Sequence, residues 1–299
     1  MDEQLSQDKL ALRFEEERGR LRAVSYRMLG SLSDADDAVQ EAWLRLSRTD
    51  ISGVENLTAW LRTVVSRICL DMLRSRTARR EEFAGDQLPD QTWDEGDSTD
   101  PESEAVLIDA VGRALLVVLA TLGPAERVAF VLHDLFAMPF DEIAPIVERT
   151  PATTKKLASR ARRRVQGPTA LPAPVLAQQR HVVDAFLTAA RNGDLDALLA
   201  VLAPDVVRRA DPTTLPAGAQ TLVRGSDGVA RETVVLRRNA QFAATALIDG
   251  RVGIVVAPHG RLLFALVVTA EADKITAYEV IADPARLAAL DLAVLDGEG

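Results

Sequence analysis

Apolar positions recur at helical spacing through the first 166 residues and sort into helices with distinct polar faces. From about 5 to 80 there is no strand alternation and almost no glycine or proline, which predicts helix throughout. Within it, 34–47 (DADDAVQEAWLRLS) opens with acids in its first turn, as the helix dipole favours, and Ser33 is the expected N-cap. Ala38, Val39, Ala42, Trp43 and Leu46 form the apolar side; Asp36, Asp37, Gln40, Glu41 and Leu44 lie elsewhere. A polar face that carries a leucine is either ordinary exposed surface or a docking face, and spacing does not separate the two. After a turn-rich stretch at 48–56 (RTDISGVEN), another helix starts at Leu57. Its core candidates are Trp60, Leu61, Val64, Val65, Ile68, Leu70, Met72 and Leu73.

Residues 140–166 (FDEIAPIVERTPATTKKLASRARRRVQ) read as two short helices joined by a tight turn. Ile143, Ala144 and Val147 give the first its apolar side. Thr150-Pro151 then offers an N-cap oxygen and a proline at the first helical position. At about 100° per residue, Thr154, Leu157, Ala158, Ala161 and Val165 share one side, and Lys155, Lys156, Ser159, Arg160 and Arg163 the other. A small residue at the crossing followed by a capped basic helix suits a helix-turn-helix entering a major groove. A solvated surface helix is the competing reading, but no Asp or Glu occurs from 149 to 183, whereas such helices usually mix both signs. Upstream, 105–120 and 124–137 predict two strongly apolar helices that bury this motif.

The pattern changes after 166. A proline-rich stretch, 167–174 (GPTALPAP), reads as an extended, semi-rigid linker. Helices are expected at 175–192, 194–203 and 226–238. The segments 241–248, 252–257, 262–269 and 275–281 are rich in Val, Leu and Ile. Gly250, His259-Gly260 and Ala272-Asp273 punctuate them as hairpins require. Helices first and a meander later indicate an α+β domain whose curved sheet wraps the helices.

Composition sharpens this layout. A length of 299 residues allows two or three domains, and one cysteine, Cys69, excludes an intramolecular disulfide or a cysteine-based zinc site. No apolar run approaches the roughly 20 residues of a membrane span, and the polar MDEQLSQDK start does not read as a signal peptide. The net charge of −9 is strongly segregated. Arg62, Arg67, Arg74, Arg76, Arg79 and Arg80 crowd one helix against Asp71, whereas 81–104 holds many acids and no Lys or Arg. The arginine-rich helix either grips a phosphate backbone or a single strand, or snorkels its arginines in water. The acidic stretch is a linker that cannot fold alone.

The segments VAFVLHDLFAMPFDEIA and LASRARRRV, with VVDAFLTAARNGDLDALLAVLAPDVV, VRGSDGVAR and IADPARL further on, carry a family likeness. The chain resembles bacterial extracytoplasmic-function (ECF) RNA polymerase sigma factors, in particular the SigJ-like branch with a C-terminal SnoaL-like domain of NTF2 fold. The resemblance implies a multidomain chain: two all-α sigma domains, a region 2 helical bundle (5–80) and a region 4 helix-turn-helix (105–166), then an α+β SnoaL/NTF2-like domain (175–299). Asp37, Gln40, Glu41 and Leu44 are the implied docking residues for the clamp helices of the polymerase β′ subunit. The module at 48–80, with Arg62 and Arg67, would capture flipped −10 bases. Lys155, Lys156, Ser159, Arg160 and Arg163 would read the −35 element.

Several positions depart from the branch pattern. Glu148 stands where a turn glycine is usual, and Gln87-Leu88-Pro89-Asp90 only partly matches Trp-Leu-Pro-Glu-Pro. Asp211-Pro212-Thr213-Thr214 replaces Asp-Gly-Gly-Gly, and Asp283-Pro284-Ala285-Arg286-Leu287 varies Asn-Pro-Asp-Lys-Leu/Phe. The family uses these motifs to hold the extension against the sigma domains, which makes Leu88, Pro89, Asp211, Asp283 and Pro284 the expected interdomain residues. The implied partners are core polymerase (β′ and β subunits) and promoter DNA, in the cytoplasm, with no membrane, cofactor or metal, no enzymatic activity and less need of a separate anti-sigma protein. The competing readings are a ligand-sensing helix-turn-helix regulator and a SnoaL-type enzyme fused to a DNA-binding module. For the enzyme, His181, Asp211, His259 and Asp283 are acid–base candidates by residue type only.

Overall fold

Ser31, not Ser33, starts the second helix, because Leu32 and Ala35 already lie on the apolar stripe that continues through Ala38, Val39, Ala42 and Leu46. The Asp34 N–H donates to Ser31 Oγ at 3.3 Å, which satisfies one of the helix's orphan donors. The computed structural model describes residues 2–50, 53–83, 112–212 and 220–295. Contacts divide the chain into two compact units, Met1–Ala110 with Leu119–Arg162, and Val111–Val118 with Arg163–Gly299.

In the first unit, α1 (Asp2–Leu29), α2 (Leu32–Arg48) and α3 (Leu57–Phe83) pack on one another. Phe14, Leu21, Tyr26, Leu46, Leu61 and Leu70 are among its fully buried side chains. Trp60, Val64 and Met72, expected in the core, are only half-buried. Cys69 is buried, and burial pushes its thiol up to about 12, so it stays protonated and packs as a small hydrophobe. The next helices are α4 (Arg113–Ala120) and α5 (Pro124–Phe130). The expected helix at 124–137 is not continuous: a π-helical turn follows at Val131–Leu135, and Ala137 takes φ 52°. His133 stacks on Phe140 with ring centroids 3.8 Å apart, and its Nδ1 lies 3.0 Å from the Met138 carbonyl oxygen. This irregular corner turns the chain into α6 (Phe140–Val147) and α7 (Pro151–Gln166). Both α5 and α6 pack against α3.

The second unit opens with α8 (Ala173–Asn192), which ends at Gly193 in the left-handed conformation, and α9 (Leu195–Val201), N-capped by Asp194. Strand β1 (Leu202–Ala210), β2 (Leu222–Arg224), α10 (Ser226–Val235) and α11 (Arg237–Ala240) follow. The meander is β3 (Ala243–Ile248), β4 (Arg251–Val256), β5 (Phe264–Glu271) and β6 (Lys274–Ile281), close to the expected segments; α12 (Pro284–Ala289) and β7 (Leu292–Ala293) complete it. The sheet order is β2-β1-β6-β5-β4-β3-β7, with β1 parallel to β6 and the other pairs antiparallel. Val182, Val183, Phe186, Leu187 and Ala190 of α8 join Leu247, Val252, Ile254, Val268 and Ile275 in the domain core.

Strand β1 replaces part of the helix expected at 194–203. Pro204 and Asp205 hide it from a pattern search. They fall where the β1–β6 register shifts between Leu202 and Val207, an irregularity that tolerates proline in a strand. The proline-rich segment also differs from a free spacer. Helix α8 begins inside it at Ala173, and the Ala170 N–H donates to the Gly250 carbonyl at 3.0 Å.

Candidate nucleic-acid interface

The turn between α6 and α7 sets the geometry of the basic helix. Glu148 adopts φ 56°, ψ 46°, the left-handed conformation a glycine would take without cost, and the Arg149 N–H donates to the Ala144 carbonyl at 3.0 Å. Thr150 then caps α7: its Oγ1 accepts from the Thr153 N–H at 3.3 Å, while Thr154 is fully buried and donates its hydroxyl to the Thr150 carbonyl at 3.0 Å. Ala158, Ala161 and Val165 are buried beneath the helix. Lys155, Lys156, Ser159, Arg160 and Arg163 are all exposed on one side, and Ile143, Ala144 and Val147 of α6 are buried as their spacing requires.

One arginine of α7 has a different task. Arg162 donates through Nε to Asp134 at 2.7 Å, and its second nitrogen lies 2.5 Å from the same carboxylate oxygen. Asp134 sits on the π-helical turn with only 17% of its side chain exposed. A charge-assisted bond to a largely enclosed carboxylate fixes the rotation of α7 about its axis, and with it the direction of the basic face. Sequence pattern did not single out Arg162 and gave no sign of its partner, because Asp134 lies 28 residues upstream.

On α2, Asp37 and Gln40 are exposed, Leu44 is 38% exposed, and Glu41 pairs with Arg45 at 2.9 Å. The spacing 37, 40, 41, 44 puts them on one stripe. The neighbouring acids are paired within the bundle: Asp36 accepts a two-pronged bond from Arg22 at 2.7 and 3.0 Å, and Asp34 pairs with Arg76. The connection into α3 is closed by Asn56, whose Oδ1 accepts from the Ala59 N–H at 3.0 Å.

The arginines of α3 differ from those of α7. Arg62 is half-buried, with its Nε enclosed and unpartnered among the described residues. Arg67 donates to the Pro145 carbonyl at 3.4 Å. Arg74 bonds the Glu148 carboxylate at 3.0 Å, Arg76 also reaches the Leu29 carbonyl at 3.3 Å, and Arg79 reaches Ser75 at 3.3 Å. Arg127 of α5, which no sequence pattern singled out, is 5% exposed and lies beside Gly30.

In the second unit, the two variant motifs meet each other. The Asp211 carboxylate accepts from the backbone N–H groups of Ala282 at 3.1 Å and Asp283 at 3.2 Å, and from Arg286 at 2.5 Å. Burial alone would raise its pKa; those hydrogen bonds and the Arg286 charge outweigh burial and hold it below the ordinary carboxylate value. Asp283 caps α12 by accepting from the Arg286 N–H at 2.9 Å, with Pro284 at the first helical position. Leu88 and Pro89 lie outside the described residues.

Two of the acid–base candidates for an enzyme, Asp211 and Asp283, hold the backbone and Arg286 instead. His181 is exposed, and Asp211 and Asp283 are engaged in this clasp; the side chain of His259 lies outside the described residues. The buried polar groups are ones the sequence did not single out. Arg208 of β1, 2% exposed, forks onto Glu232 of α10 and donates to the Gln220 carbonyl at 2.7 Å. Tyr278 of β6, paired in register with Arg208, is pushed up to about 12 by burial. Among the described residues no group of three or more His, Cys, Asp or Glu is placed to hold a metal, and no helix is long and apolar enough to cross a membrane.

Known proteins match the same layout. The family described as Sigma-70 region 2 matches residues 13–79, and that described as Sigma-70, region 4 matches 112–165. The ECF RNA polymerase sigma factor SigJ of Mycobacterium tuberculosis is 41% identical over 249 residues, 80% of this chain and 78% of that protein. A probable ECF RNA polymerase sigma factor, SigI, of the same species is 36% identical over 272 residues, 88% of this chain and 90% of that protein. The crystal structure of M. tuberculosis SigJ aligns over 93% of this chain and 98% of its own, at 34% identity and a TM-score of 0.44. The chain belongs to the ECF RNA polymerase sigma factors, initiation factors that bind core polymerase and promoter DNA and are not enzymes.

Proposed function

We propose that α2 docks on the β′ clamp helices through Asp37, Gln40, Glu41 and Leu44, with the β subunit completing the polymerase contact. The 48–56 connection and α3, including Arg62 and Arg67, capture unstacked −10 bases, an exchange that offsets an unpairing cost of a few kcal/mol. The exposed face of α7 reads −35: base-edge contacts supply specificity, and lysines and arginines on phosphate supply salt-dependent affinity. The observation that supports this most is the capped helix α7, whose acid-free basic face is exposed while Arg162 is spent on Asp134.

Two separately weak readers tied in one chain act as a bivalent one. The C-terminal domain regulates them in cis, by packing on the sigma domains or by controlling their separation, which makes a separate anti-sigma protein less necessary. The protein acts in the cytoplasm, where polymerase and promoters are. Run-off transcription with cognate core polymerase tests the assignment: addition of the protein should produce start-site-specific transcripts. Purified protein that forms no holoenzyme at any reasonable concentration would end it.

A further inference from the structure

Within the first compact unit, arginines bridge the region 2 helices to region 4. Arg67 and Arg74, about two turns apart on α3, reach the Pro145 carbonyl at 3.4 Å and the Glu148 carboxylate at 3.0 Å. Both partners belong to the last turn of α6 and the turn that follows it. Two further arginines cross the same boundary. The Arg27 guanidinium of α1 lies 5.2 Å from the centre of the Phe136 ring. Arg127 of α5 is enclosed where α1 ends, so closely that a Cβ on Gly30 would meet its guanidinium at 3.2 Å.

These bridges bring together two surfaces that a promoter needs apart. Arg62 lies about 18 Å along α3 from Arg74, and Arg163 lies about 18 Å along α7 from Pro151. With Arg74 bonded to Glu148, the residues proposed to read the two promoter elements lie within about 60 Å of one another. The −10 and −35 elements are about 25 base pairs apart, which is about 85 Å of straight duplex. The bridged form cannot reach both. Glu148 itself points to a purpose. It carries a side chain at φ 56°, where glycine would fit without cost, and that side chain is the one that holds Arg74.

We propose that the turn between α6 and α7 is an autoinhibitory latch. Glu148 on Arg74 and the Pro145 carbonyl on Arg67 hold region 4 against α3 and mask part of the −10 reader. Promoter engagement requires the latch to open, and core polymerase drives the opening by binding the separated form better. An ion pair whose partners are 39% and 68% exposed, with one long bond to a carbonyl, is weak enough to yield. Opening turns the same arginines toward phosphate, so the closed contact and nucleic acid compete for one set of charges. This rests on α3 and α7 being the promoter readers, and the test separates the two.

Arg74→Cys with Glu148→Cys places thiols on both sides of the latch, while buried Cys69, its thiol pushed up to about 12, stays unreactive. A short, thiol-cleavable bis-maleimide should link the pair in the full-length protein alone. Locked protein should lose at least about tenfold in promoter run-off with core polymerase, because only one reader can engage at a time. Cleaving the linker should restore it. The same double variant capped with a monofunctional maleimide, and so unlinked, is the control and should initiate. Locked protein that initiates as well as capped protein overturns the proposal. The linking reaction is the second readout: core polymerase added first should slow it at least about fivefold. Linking that is as fast in holoenzyme as in the protein alone, or that never forms in the folded protein alone, also overturns the latch. If the unmutated protein itself fails to initiate, the reader assignment falls; there, and where capping alone blocks initiation, the linking rates still decide the latch.

Discussion

Helices α3 and α7 look alike in sequence, each with a run of arginines and few acids, yet the fold differs in how far it exposes their charges. Along α3, Arg67, Arg74 and Arg76 are bonded to Pro145, Glu148, Asp34 and Leu29 of neighbouring elements. Along α7, Lys155, Lys156, Ser159, Arg160 and Arg163 are exposed, and Arg162 pairs with Asp134. A basic count therefore overstates what α3 has ready for a phosphate backbone. On the proposed reading, nucleic acid approaching α3 competes with the chain's own carboxylates and carbonyls for Arg67, Arg74 and Arg76, whereas the polar side of α7 is exposed to it.

The largest effect should come from the exposed set. Lys156→Glu with Arg163→Glu should lower promoter-dependent run-off by about tenfold or more. The log–log salt slope of promoter binding should flatten by about one for each phosphate left without its cation. Arg67→Glu on α3 should cost less, about threefold at low salt, because one of its bonds is already spent internally. Equal losses at the two helices, measured on one promoter, would erase the distinction.

Asp134→Asn probes the pairing with Arg162 and should come next. It weakens a charge-assisted bond at a partly buried carboxylate, which costs about 1–2 kcal/mol of stability in urea unfolding. Promoter affinity should drop with it although no DNA-facing residue is changed. Exchanging the charges, Asp134→Arg with Arg162→Asp, should restore part of both. An Asp134→Asn protein that binds promoter normally would show that α7 keeps its aim without Arg162.

Much of this was legible because helical spacing dictates which side of α2, α6 and α7 is buried, and the meander strands announce themselves by branched residues between turns. What escaped had non-local causes. The partner of Arg162 is 28 residues away, the Arg208–Glu232 fork joins a strand to a helix, and β1 carries Pro204 at a register shift. The prolines at 168 and 172 precede α8, while Pro174 already lies in its first turn, and periodicity cannot foresee the Ala170 bond to Gly250. For the proposed docking stripe on α2, spacing defined the face, while the pairing of Asp34 with Arg76 and of Asp36 with Arg22 needed coordinates.

The smallest expected effect is at Glu148, where the turn before α7 meets Arg74 of α3. Its carboxylate binds Arg74 with 68% of the Glu148 side chain exposed, so Glu148→Gln should cost under about 1 kcal/mol, and the difference should vanish in molar salt. Glu148→Gly removes the same charge but also relieves a left-handed non-glycine backbone, worth about 1 kcal/mol, against a comparable loss of chain entropy on folding. The two variants should therefore lie within about 1 kcal/mol of each other in stability. Both should release Arg74 and raise DNA affinity through α3 by no more than about twofold, read as a slightly steeper salt slope. A gain in stability for Glu148→Gln at low salt would mean that the Arg74 bond contributes nothing, and that part of the contrast between α3 and α7 would go with it.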